Sequence, residues 1–205
     1  EFEKMKGEST GEELGEISIS LPTYDSPLWY YSLGEPTWLL PKKSQDCKKV
    51  IVLAYANEGI KEESKGHIQR EESIGRLTRA LPFYLGEKIQ HEIELLLNVI
   101  IPTIKDVGPI VSRKVYEDDY IKDLLVKRNG DYMVTGGIRE EEDSIYIESY
   151  IYDKFDNKLK ISKNLNKISF GSEFNEMIKE IIDSLKVELV YCGEYYKTPK
   201  DNLDR

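Results

Sequence analysis

The sequence predicts an α/β fold: a two-layer sandwich with a mixed sheet of about five strands, two main helices on one face, and an extended N-terminal arm. Three observations lead there. Residues 50–56, VIVLAYA, are apolar without interruption, the mark of a strand buried on both sides and therefore central in a sheet. Residues 131–168 read as three strands joined by two short polar turns, an antiparallel meander whose middle strand alternates. Two stretches with helical spacing, one opening at Pro82 and one at Ser172, each carry a single apolar stripe able to cover one sheet face. A strand-helix-strand opening requires parallel neighbours, and the meander supplies antiparallel ones.

Taken in order, residues 1–16 are rich in Glu, Lys, Gly, Ser and Thr and are expected to form a mobile leader. Residues 17–47 form the arm. Within 17–41 lie both tryptophans, three tyrosines and four prolines. Proline at that density prevents a long helix, while Trp29, Tyr30, Tyr31 and Trp38 carry apolar area that something must cover. The domain proper spans 48–188. After the central strand, ended by Asn57-Glu58-Gly59, the polar stretch 61–79 reads as a surface loop with some helix. Pro82 suits a first helical turn, and Leu85, Ile89, Ile93, Leu96 and Leu97 form the stripe of a helix over 82–98. Broken β-branched pieces follow around Pro102 and Pro109. A short helix capped by Asp118 or Asp119 then ends at Asn129-Gly130.

In the meander, strand 131–138 is followed by the turn 139–144, strand 144–153, the turn 155–158 and strand 158–168. Alternation in the middle strand places Ile145, Ile147 and Ile151 on one face and Tyr146, Tyr150 and Tyr152 on the other. Ser172 is expected to cap the last helix, with Phe174, Ile178, Ile181 and Leu185 facing inward. Residues 189–205 read as a tail.

The chain has 205 residues, with 38 Asp+Glu against 29 Lys+Arg and a net charge of −9, which argues against nucleic acid as the main partner. No stretch of about 18 apolar residues occurs, so no transmembrane segment is expected in this sequence. Beginning at Glu1 rather than Met, the chain is expected to be a processed or trimmed product. Two cysteines, Cys47 and Cys192, are too few for a disulfide framework; one bridge or two separate thiols both fit.

The motifs with possible chemistry favour structural readings. Gly136-Gly137 has no phosphate-loop frame, and a glycine pair inside a strand marks a bulge or the close approach of another backbone. Arg139-Glu140-Glu141-Glu142-Asp143 lacks the spacing of a calcium loop and reads as a solvated turn, as do Asp153, Asp156 and Asn157. His67 and His91 are the only histidines; His91, one turn after Glu87, suits a helical ion pair rather than a zinc site. No GxSxG or HExxH occurs. The expectation is a non-enzyme without metal or cofactor.

The segment Asp131-Tyr132-Met133-Val134-Thr135-Gly136-Gly137-Ile138, with 145–152 and Asp153-Lys154-Phe155-Asp156-Asn157-Lys158, resembles the meander of the domain family found at the N-terminus of TolB, also represented in CsgG and LpoB. The resemblance covers about 48–186, with 61–79 as an insertion, and departs from the family at Ala54-Tyr55, where proline and phenylalanine are usual. It implies a non-catalytic module of the bacterial cell envelope that binds or scaffolds other proteins, periplasmic or membrane-anchored on the periplasmic side. The alternative is a ligand-binding sensory or regulatory domain cut from a larger signalling protein. The expected protein-binding residues are Trp29, Tyr30, Tyr31, Trp38, Tyr146, Tyr150 and Tyr152, contacting other envelope proteins or mediating self-association through the arm. With the isoleucines turned to the helices, the tyrosine face is expected to be open and the arm to fold back over it.

Overall fold

Residues 50–56 are buried throughout, as expected of a central strand, but the strand is interrupted at Ala54-Tyr55. The computed structural model describes residues 3–4, 18–36, 38–40, 43–60 and 70–187; most of the leader, the loop 61–69 with His67, and the tail 189–205 with Cys192 lie outside them. The chain order is β1 (Glu3–Lys4), β2 (Ser18–Ser20), β3 (Thr23–Tyr24), α1 (Leu28–Ser32), β4 (Lys49–Leu53), β5 (Ala56–Asn57), α2 (Ser73–Glu92) and β6 (Leu96–Ile100). Then follow β7 (Thr103–Ile104), β8 (Gly108–Pro109), α3 (Asp118–Lys127), β9 (Tyr132–Glu140), β10 (Ser144–Asp153), β11 (Lys158–Asn166) and α4 (Phe170–Val187). The main sheet has the order β11-β10-β9-β4-β6-β3, with β5 also on β9, and a small second sheet has the order β1-β2-β7-β8. β4 is parallel to β6 and β9, and the meander β9-β10-β11 is antiparallel throughout. The mixed α/β sandwich read from the sequence is thus the observed architecture.

Side-chain alternation explains the layers. Val50 and Val52 of β4 face one core with Leu81, Leu85 and Ile89 of α2 and Met177, Ile178, Ile181 and Leu185 of α4. Ile51 and Leu53 face the other, against Ile121, Leu124 and Leu125 of α3. The tyrosine side of the sheet is therefore not open, as expected, but partly roofed by α3. That helix begins one residue earlier than a cap at Asp118 would require: Glu117 is the N-cap, and both aspartates sit in the first turn, where their charge favours the helix terminus.

Helix α2 departs most from the sequence reading. It spans Ser73–Glu92, not 82–98, and Pro82 lies inside it. A proline there has no N–H for the Thr78 carbonyl. The Tyr55 N–H donates to that carbonyl instead, at 3.1 Å, so the lost helical bond is replaced by one from the sheet. At the other end Ile93 is already extended, with φ −134° and ψ 145°, and Leu96 and Leu97 belong to β6, paired in parallel with Lys49 and Val50. The stripe continued into a strand because both elements face the same core. Helix α4 starts at Phe170, so Ser172 is inside its first turn and donates to the Ser169 carbonyl; Glu173 accepts from the Ser169 hydroxyl and the Asn166 N–H.

Candidate functional site

The arm is fastened at several points. Leu21 packs on the α3 side of the sheet, where its carbonyl accepts from Arg128 Nη2 at 3.2 Å. Thr23 and Tyr24 then pair antiparallel with Ile100 and Val99, closing the sheet edge, and the Tyr24 ring meets Phe83 edge-on at 5.2 Å on the α2 side. The prolines restrict α1 to five residues. Trp29 lies parallel to the His91 ring, 6.3 Å away, so His91 carries the arm rather than an ion pair. Burial beneath the arm lowers the His91 pKa, partly opposed by Glu87. Further on, Leu40 is buried, and Lys43 Nζ donates to the Ile93 and Leu95 carbonyls at 2.8 and 3.0 Å, just beyond the end of α2. Burial brings the Lys43 amine down to about 8. Cys47 is buried nearby along the chain.

Between these anchors the segment stands out from the domain. After α1 the chain reverses through Gly34 and Glu35, at φ +76° and +56°, with the Tyr30 and Tyr31 carbonyls accepting from their N–H groups. The Tyr31 hydroxyl donates to Asp25 Oδ1 at 2.6 Å and accepts from the Asp25 N–H at 3.1 Å, and its ring meets that of Tyr30 edge-on at 6.3 Å. Its neighbours are more exposed: Leu28 46%, Leu33 63% and Trp38 81%. Trp29 and Tyr30 are half-buried. Leu28 and Leu33 were not singled out by sequence reasoning, although an apolar residue in a segment cut by Pro27, Gly34 and Pro36 had little chance of reaching a core.

The tyrosine face is a different surface. β10 is separated from β3 by β9, β4 and β6, roughly 19 Å at ~4.8 Å per strand. The arm therefore does not cover the tyrosines, contrary to the sequence expectation; its pairing to β6 and its stacking on α2 hold it at the other edge. The seven predicted residues form two groups. Tyr152 is 2% exposed and donates to Asp118 Oδ1 at 2.8 Å, an atom that also accepts from Lys158 Nζ at 2.7 Å. These two donors lower the Asp118 pKa, and burial together with Asp118 raises that of Tyr152. Glu148 accepts from Tyr150 at 2.5 Å and pairs with Lys160 at 2.6 Å. Burial alone would raise the Glu148 pKa, but Lys160 and the Tyr150 and Tyr146 hydroxyls bring it below its ordinary value. Lys158 lies 4.3 Å above the Tyr150 ring, and the Arg139 guanidinium 4.5 Å above that of Tyr146. Each ring is covered by a cation from a neighbouring strand.

The glycine pair serves this sheet. A Cβ on Gly136 would meet the Glu148 carbonyl oxygen at 1.8 Å and Tyr55 Cε1 at 2.7 Å, and one on Gly137 would meet Glu58 at 2.8 Å. The expected close approach of another backbone is what Gly136 permits, whereas Gly137 makes room for the Glu58 and Val115 side chains. Tyr55 reaches this position because Val52 pairs with Val134 while Ala56 pairs with Gly137, four residues against three. The extra residue bulges at Ala54-Tyr55, the site where the sequence departs from the resemblance. The buried Tyr55 and Ser149 hydroxyls share a 2.8 Å hydrogen bond.

No family model matches the chain, nor does the sequence of any curated protein. Among solved structures the chain is similar to TolB from Acinetobacter baumannii (9% identity, TM-score 0.43, 83% of this chain and 31% of that one). It is also similar to a PelC dodecamer from Paraburkholderia phytofirmans (9% identity, TM-score 0.37, 80% and 95%). A third similar structure is lipoprotein GNA1162 from Neisseria meningitidis (9% identity, TM-score 0.31, 70% and 99%). The chain spans about a third of the length of TolB.

Proposed function

We propose that this chain is a non-catalytic protein-binding or assembly module of the bacterial cell envelope, on the periplasmic side, and that it holds its partner through the arm. The observation that carries the reading is the exposure of Leu28, Tyr31, Leu33 and Trp38 on a segment anchored at both ends. Pre-anchored aromatic and aliphatic side chains lose little further freedom when a partner covers them, which is the property of interface hot spots. The resemblance of the meander to the TolB N-terminal type supports the envelope setting. The five groups with large pKa displacements are all engaged within the fold, Tyr55 with Ser149, Tyr152 with Asp118, Lys160 with Glu148, Lys43 with the Ile93 and Leu95 carbonyls and Tyr116 stacked on Tyr120, which favours contact over chemistry.

Deleting 17–41 would remove β3 and the Trp29 stack, confusing folding with binding. The double substitution Leu33→Ser/Trp38→Ser touches only exposed side chains and should leave stability within about 0.5 kcal/mol. Capture of a partner from envelope extract by the variant is expected to fall at least tenfold relative to the native chain, since a hot-spot side chain contributes roughly 2 kcal/mol or more. Equal capture by both chains would overturn the reading.

A further inference from the structure

We infer that β11 is the seam of a homodimer in which the edge strand pairs antiparallel with β11 of a second copy, about a two-fold axis at Ser162. β11 ends the main sheet and runs nine residues without a bulge, its partners on β10 keeping one register from Ser144↔Asn166 to Tyr152↔Lys158. The Asp153 N–H donates to the Asn157 carbonyl at the β10-β11 hairpin. Because bonded pairs alternate in an antiparallel ladder, the odd-numbered residues of β11 bond to β10. The N–H and C=O groups of Lys158, Lys160, Ser162 and Asn164 therefore point outward, and among the described residues no strand lies beyond them.

An edge of this length is usually guarded by lysines that reach across it. Here the lysines are folded away from the edge. Lys158 lies over Tyr150 and bonds Asp118, Lys160 bonds Glu148, and Lys163 pairs with Glu180 of α4 at 3.2 Å. The tyrosine face thus draws the guards off the backbone it adjoins. The strand is also complementary to itself. With Ser162 opposite Ser162 of the second copy, Lys160 faces Asn164, Ile161 faces Lys163, and Leu159, 47% exposed, comes beside Leu165, so no ammonium stands opposite another. Ser162 is an outward-bonding residue, so the axis falls on a bonded pair, as a symmetric antiparallel ladder permits.

Sedimentation of the full chain across the micromolar range tests this, together with Ser162→Pro and Ser162→Cys. Proline at 162 removes an N–H that points away from β10 and meets no strand among the described residues, which an edge strand tolerates. It should leave the circular dichroism spectrum intact while raising the dimer dissociation constant roughly thirtyfold, the effect of losing the two backbone bonds of the 162–162 pair. Cysteine at 162 should be joined to its twin by a short bis-maleimide, with the 162–162 linkage found by peptide mass spectrometry, whereas Val126→Cys on α3 should give no self-linkage. A chain that stays monomeric, or a dimer that survives Ser162→Pro, gives no 162–162 linkage and dissociates in Leu33→Ser/Trp38→Ser, would overturn the inference.

Discussion

The arm and the even-numbered face of β10 both concentrate aromatic side chains, but their polar groups are treated differently. On β10, Tyr146, Tyr150 and Tyr152 lie under cations from Arg139 and Lys158, and the hydroxyls of all three end on carboxylates that are themselves paired. On the arm, Leu33 and Trp38 have water where a core residue would have neighbours. Aromatic content alone therefore does not mark a binding surface. What distinguishes the two is whether the surrounding charges are spent inside the fold: those around the β10 tyrosines are, and the side chains of Leu33 and Trp38 stay exposed.

Substitutions should separate the two regions. The largest effect is expected at Gly136→Ala, because a methyl placed 1.8 Å from a backbone carbonyl cannot be relieved by a side-chain rotation and must part β9 from β10. A loss of about 3 kcal/mol or more is expected in urea unfolding; a change below about 1 kcal/mol would show that the sheet at this point is softer than the contact implies. A smaller effect is expected for Tyr55→Phe, which leaves the buried Ser149 hydroxyl without its partner. The cost should be roughly 1–2 kcal/mol in the same assay. If Tyr55→Phe is neutral, the bulge is held by main-chain bonds alone. The arm substitutions described above complete the series with an expected stability change near zero.

Much of the fold was legible because its signals are local. The VIVL run, the alternation of 144–153 and the two polar turns each specify an element from neighbouring residues, and all three recur in the structure. The failures arise where a distant group decides. Pro82 looked like a helix start because its own segment offers no way to satisfy the Thr78 carbonyl; the Tyr55 N–H that does so comes from another element. The stripe through Leu97 looked continuous because α2 and β6 share one core. The candidate surface was half legible. Residue type pointed to Trp29 and Trp38, but only the placement of β3 on β6 shows that the arm lies away from the tyrosines, and only the Lys158 and Lys160 geometry shows that the tyrosine face is filled from within.

The claim that the arm is displayed and the tyrosine face is structural can be tested most directly by placing a photo-crosslinking amino acid at Trp38 in one chain and at Tyr146 in another, then irradiating each in the envelope fraction. The account predicts a discrete cross-linked partner from position 38 and none from position 146. A partner captured at 146 and absent at 38 would contradict it.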